Sequence, residues 1–199
     1  MSDRVPIREN RFAVIVGRIL HPYFMPIPTV LVILNSLPLG ELLRWSAIVL
    51  TITLLPGMIA ATLFQYRGHE LYKRKTRGPL YLVGWASVLV CLVVVLQFSA
   101  AQPLIACVAT LAVWLPMQWA VNHWITKVSA HAAVVTGCFV ALVLLGKATN
   151  PLVALILLVC VMTTLWARII TRNHTIPQVL LGVLIGALPV LIVFPLMLS

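Results

Sequence analysis

Two short polar strings interrupt an apolar chain: Lys127-Val-Ser-Ala-His131 and Arg168-Ile-Ile-Thr-Arg-Asn-His174. Each pairs fixed positive charge with a histidine. A guanidinium offers planar, bidentate donors that match phosphate oxygens. An imidazole serves as nucleophile or acid–base group near neutral pH. Ser129 is placed to cap the helix that follows it, and a helix start presents free amide N–H groups and a positive dipole end to an anion. Gathered at one membrane surface, these groups would bind and transfer a phosphoryl group. A plainer reading stands beside this one. Ser129 then caps a helix and Lys127 marks topology, while Arg168 rests its stem on the bilayer surface with its charge in water.

The elements that must carry these strings follow from composition. The chain has 199 residues, of which 62% are hydrophobic and 9% charged, too few charges to solvate a water-soluble domain. No Asp, Glu, Lys or Arg lies between Arg77 and Lys127. Runs of about 20 apolar residues cross the hydrocarbon core of a bilayer. The expected fold is an all-α polytopic transmembrane bundle of six to seven helices. Residues 1–22 form a basic interfacial segment, and residues 23–199 form one transmembrane domain. The scattered Arg4, Arg8, Glu9 and Arg11 do not resemble a cleavable signal. The four cysteines (Cys91, Cys107, Cys138 and Cys160) lie inside apolar runs and read as small hydrophobes, not metal ligands.

Seven apolar segments are expected: residues 23–40, Trp45 to Tyr66, Leu80 to Phe98, residues 104–121, Ala130 to Leu145, Leu152 to Ile170, and Val179 to Leu198. Pro26, Pro28 and Pro38 make the first one kinked, short or re-entrant. Residues 41–44, 99–103 and 146–151 are the expected turns on one side. Loops 67–78, 122–129 and 171–178 share the other side with the N-terminus. Of the 14 Lys and Arg residues, all but Arg44 and Lys147 fall on that second side. Cytoplasmic loops collect Lys and Arg, so the polar strings are expected on the cytoplasmic face of a cell inner membrane. The net charge of +10 also suits an anionic lipid partner. Thr175-Ile-Pro-Gln178 has the form of a capping box that fixes His174 just before the last helix.

Taken together, these strings resemble the type 2 phosphatidic acid phosphatase superfamily of integral-membrane lipid phosphatases. That family carries K-x6-R-P, P-S-G-H and S-R-x5-H-x3-D. Here the second motif is matched by Val128-Ser129-Ala130-His131, and the third by Ala167-Arg168-x5-His174-x3-Gln178. The first is approximated by Lys73-Arg-Lys-Thr-Arg77-Gly-Pro79. The likeness covers roughly residues 67–195. It implies that His174 attacks phosphorus to form a phosphohistidine and that His131 protonates the leaving group. It implies that Arg168, Ser129 and Arg77 hold the phosphoryl oxygens, with the lysine role falling to Lys127 or Lys73. Water then releases phosphate, with no metal and no cofactor. The family's Asp, which orients the nucleophile, is Gln178 here; a neutral amide stabilises an imidazolium less. Glu70 could substitute from the first loop. Ala130 replaces a glycine, and Gly78 splits the Arg-Pro pair.

The resulting expectation is a lipid phosphatase acting on an isoprenoid or glycerolipid mono- or diphosphate, with the bilayer as its medium and no nucleic-acid partner. The alternative is a catalytically weak relative that binds phosphorylated headgroups as a scaffold or transport component. A plain transporter fits less well, because no charged residue sits mid-membrane to mark an ion path.

Overall fold

A computed structural model describes residues 10–68 and 78–198. Lys73 and Arg77, together with Glu70, lie outside the described residues. Within them the chain is helical, with no strand. In order, the helices are α1 (Arg11–Ile19), α2 (Pro26–Ile33), α3 (Leu39–Tyr66), α4 (Gly78–Gln97), α5 (Gln102–Ala120), α6 (Ala130–Leu144), α7 (Pro151–Ile170) and α8 (Ile176–Leu198). A single π-helical turn, Val121–Ile125, extends α5.

Five spans are long and apolar enough to cross a membrane: α3, α4, α5 with its π turn, α7 and α8. The expected count of six to seven is not confirmed by length, because two of the seven apolar segments form short helices. Helix α6 has 15 residues and α2 only 8. At 1.5 Å per residue these rise about 22 Å and about 12 Å, against a hydrocarbon core of about 30 Å. Prolines explain α2. Pro26 and Pro28 are tolerated in its first turn, where an N–H is not needed, and Pro38 disfavours helix in the residue before it. Helix α6 is bounded by the Ser129 cap and by Gly146, whose φ of +66° suits glycine. Residues 41–44, expected as a turn, belong instead to the start of α3, where Arg44 reaches Glu41 at 2.6 Å.

The chain from His21 to Asn35 nevertheless runs the full length of α6 in the same direction. The His21 and His131 rings meet at 5.1 Å, Thr29 and Cys138 line one cavity, and Lys147 Nζ donates to Asn35 Oδ1 at 2.6 Å. The end holding Lys147 also holds the α4–α5 turn and the end of α8, where Gln102 Nε2 donates to the Met197 carbonyl at 3.0 Å. Both polar strings lie at the opposite end. There Lys127 Nζ donates to the Asn173 carbonyl at 3.1 Å, and the Ser129 N–H to the Gln178 carbonyl at 3.4 Å.

One apolar core binds α2, α3, α4 and α5 through Leu34, Trp45, Val49, Val95, Leu104 and Val108. Many large apolar side chains face outward, among them Val90, Val93, Leu96, Leu155, Ile156, Leu184 and Leu191. In water such a belt would drive aggregation; in lipid it is solvated. The tightest packing lies between α6 and α8. Gly182 and Gly186, four residues apart, form the small-residue spacing that lets membrane helices approach backbone to backbone.

Candidate functional site

The second string is built by the end of α7. The Thr171 N–H returns to the Ala167 carbonyl at 3.1 Å and the Arg172 N–H to Ile169 at 2.9 Å. Arg172 takes the left-handed conformation, with φ +54°, in the position where a helix end often carries glycine. The His174 N–H then closes on the Arg168 carbonyl at 3.3 Å. This turn explains the spacing of five residues: it folds His174 back onto the residue that carries the guanidinium. Thr171 Oγ1 donates to the Ala167 carbonyl at 2.6 Å and accepts from Asn173 Nδ2 at 2.7 Å, which fixes the loop. The Asn173 carbonyl in turn receives Lys127.

The first string is held by the end of α5. Asn122, buried at the π turn, accepts the Val128 N–H on its Oδ1 at 3.3 Å. Ser129 then caps α6 as expected, its Oγ accepting the Ala132 N–H at 3.3 Å. Such a cap is worth about 1 kcal/mol. Ser129 is fully buried and packs against Gly182. His131, in the first turn of α6, places its Nε2 3.2 Å from the Gly17 carbonyl. A carbonyl only accepts, so this nitrogen carries the proton, and the Nδ1 of the neutral ring is the lone pair. The capping box at α8 forms its reciprocal half: Gln178 Oε1 accepts the Thr175 N–H at 3.2 Å. That bond occupies the oxygen that the resemblance assigns to orienting His174.

The two strings open on one cavity of about 1150 Å³, whose wall includes Lys127, His131, Arg168, Arg172 and His174. The Arg168 charge acts on His131, and so does His174. Arg168 Nε and His174 Nδ1 are both shielded from solvent. Of the residues singled out in the sequence, His131, His174, Arg168 and Lys127 therefore share this wall. Ser129 and Gln178 sit behind it in caps, and Lys73 and Arg77 lie outside the described residues. Away from the cations the wall turns apolar, through Val30, Ile33, Val88, Leu111 and Phe194. One cavity thus offers a cationic mouth and a greasy interior.

Two contributors have no counterpart in the polar strings, and both come from the N-terminal segment. Helix α1, capped by Asn10 at the Ala13 N–H (3.1 Å), packs Ala13, Val16 and Gly17 toward α7. A Cβ on Gly17 would stand 3.2 Å from Arg168 Nη1, so glycine permits α1 to close over the guanidinium. Beyond α1, the ring of His21 meets that of His131 edge-on at an interplanar angle of 85°. A glycine inside an amphipathic helix, costing about 1 kcal/mol against alanine, was the available signal for close approach.

Burial first, and then the Arg168 guanidinium, holds the His21 imidazole below the usual histidine range. Unfolded, His21 takes up a proton near pH 6.5. Folded, it resists protonation to lower pH, so the unfolded chain binds more protons as pH falls below that value and stability drops. Above it both states are neutral and nothing is lost. Thermal unfolding in detergent at pH 7.5 and pH 5.5 checks this. Wild type is expected to lose more stability on acidification than His21→Gln; an equal loss in both removes the contribution.

No protein-family model, curated protein or solved structure matches this chain.

Proposed function

We propose that the chain is an integral-membrane lipid phosphatase that hydrolyses a lipid mono- or diphosphate through a phosphohistidine. The observation that carries this reading is the convergence of His131, His174 and Arg168 on the wall of one cavity whose interior is apolar. A headgroup phosphate suits the cationic mouth, and a hydrocarbon tail suits the interior. The volume of about 1150 Å³ exceeds the range of about 300–1000 Å³ common for small-molecule pockets, as a long tail requires.

In this reading Arg168 and Lys127 neutralise charge on the phosphoryl oxygens, which is the main demand of a phosphoryl transition state. An imidazole nitrogen of His174 attacks phosphorus as the bond to the lipid oxygen breaks. The leaving oxygen takes a proton from His131. Because the Nε2–H of His131 is held by Gly17, the proton given up is one that the neutral ring first accepts on Nδ1 from the singly protonated phosphoryl group as it binds. Water then attacks phosphorus as the P–N bond to His174 breaks, its proton passes to Nδ1 of His131, and inorganic phosphate leaves. The excess of Lys and Arg at the end bearing the site supports placing it on the cytoplasmic side. On that topology α2 and α6 count as short crossings, which makes seven.

Phosphate release from farnesyl diphosphate by purified, detergent-solubilised protein tests the proposal. Turnover is expected, together with inhibition by orthovanadate, which mimics pentavalent phosphorus at a nucleophilic histidine. A monodisperse, cooperatively melting protein that releases no phosphate from any prenyl or glycerolipid phosphate overturns it. A second reading, a headgroup-binding relative without turnover, is favoured by one observation: the oxygen of Gln178 is engaged at Thr175. That outcome would show vanadate or phosphate binding without hydrolysis.

A further inference from the structure

We propose that His21 is a third imidazole of the anion site, donating its Nε2–H to an oxygen of the bound phosphoryl group. This rests on the phosphate-binding part of the reading above and assigns a role to a segment that the sequence marks as basic and interfacial. His21 lines the same cavity wall as Arg168, His131, His174 and Lys127. Its position is set by local structure. The His21 carbonyl accepts the N–H groups of Phe24 at 2.8 Å and Met25 at 3.1 Å, which forms the turn into α2. Its ring lies 5.3 Å from the ring of Tyr23 and 6.0 Å from that of Phe24.

The tautomer follows from one contact. His21 Nδ1 accepts the Tyr23 N–H at 3.3 Å. In a neutral imidazole that places the proton on Nε2, the ring's remaining polar group. The neighbouring His131 has its own Nε2–H turned to Gly17, so it offers the cavity a lone pair where His21 offers a donor. An anion between them needs the donor. Burial and the Arg168 charge both favour the neutral ring, so His21 donates without adding a charge that the crowded cationic mouth would resist. The binding segment thus extends back through Gly17, whose carbonyl steers His131 and whose missing side chain admits Arg168.

Substitutions at His21 in the full chain, read by isothermal titration with orthovanadate and with inorganic phosphate, separate this role from packing. His21→Phe keeps a ring beside His131 but removes the donor. It is expected to weaken anion affinity tenfold or more, the loss typical of a hydrogen bond to a charged group. His21→Gln supplies an amide N–H at nearly the same reach and is expected to stay within about threefold of wild type by that reasoning. Unchanged affinity in His21→Phe overturns the assignment, as does an equal loss in both variants. Where His21→Phe does not fold, the ring-nitrogen resonances of ¹⁵N-histidine-labelled wild type decide. The His21 signal, identified by its absence from His21→Gln, must move when phosphate is added; a stationary signal overturns the assignment. Because the readout is binding, wild type that binds the anions but releases no phosphate removes the phosphatase reading and leaves this one to the affinity ratio. Wild type that binds neither anion removes both.

Discussion

Replacing Gly186 with valine is expected to abolish the folded, monodisperse protein. A Cβ built on Gly186 would overlap the carbonyl oxygen of Ala133 and lie 2.7 Å from that residue's carbonyl carbon and Cα. One turn earlier, a Cβ on Gly182 would stand 2.7 Å from the Ser129 carbonyl oxygen. On the facing helix, a Cβ on Gly137 would stand 3.1 Å from the Gly186 carbonyl oxygen. The neighbours here are backbone atoms, which cannot rotate aside; α6 and α8 would have to separate. Overpacking a well-filled core typically costs about 1–3 kcal/mol through shifted side chains. Driving two helix backbones apart costs more and forfeits the dispersion contacts that hold membrane helices together. The site suffers with the packing, since α6 carries His131 and the start of α8 carries the Gln178 cap. Size-exclusion chromatography and thermal unfolding in detergent check this, with Gly40→Ala as the control. Nothing lies within 4 Å of a Cβ at Gly40, so that variant is expected to be at least as stable as wild type. A Gly186→Val protein that elutes and melts like wild type contradicts the backbone-close crossing of α6 and α8.

Helix ends and turns were the legible part of the fold. Ser129 and Gln178 each punctuate the chain by a local mechanism, and caps form at those residues. The spacing from Arg168 to His174 was legible as a pattern, and its physical basis is the turn that returns the His174 N–H to the Arg168 carbonyl. Helix length was harder to read. Pro26, Pro28 and Pro38 made a short or kinked element legible in residues 23–40, but not its bounds, Pro26–Ile33, nor that Leu39 and Gly40 open the next helix. Residues 41–44 look polar enough for a turn, yet the i, i+3 pair of Glu41 and Arg44 lets the helix start earlier. The contribution of α1 was not legible. Gly17 and His21 stand at no fixed distance from either polar string and join them only through tertiary contacts with α7 and α6. Burial of Ser129 was equally silent, because it depends on Gly182, 53 residues further along.

The largest functional effect is expected at His174 and Arg168. His174→Ala removes the proposed nucleophile, and phosphate release should fall to background. Arg168→Ala removes the guanidinium whose charge reaches both His21 and His131, and leaves in place the backbone carbonyl that ties down His174. Losing one preorganised donor at a transition state costs about 10²- to 10³-fold in kcat. Arg168→Lys keeps the charge but not the planar fork, so it should recover little of that loss. Arg44→Ala is the matched control. Arg44 sits at the other end of the bundle beside Glu41, and a surface pair of this kind contributes about 1 kcal/mol or less to stability. The double variant discriminates further. If His174 and Arg168 act in one step, removing both should cost no more than the worse single change, as expected for residues that function as a unit. If each instead binds the headgroup independently, without chemistry between them, the losses should multiply in affinity, with no turnover to lose. Single-turnover assays with matched thermal melts resolve the two outcomes. A His174→Ala protein with wild-type turnover removes the phosphohistidine from the mechanism altogether.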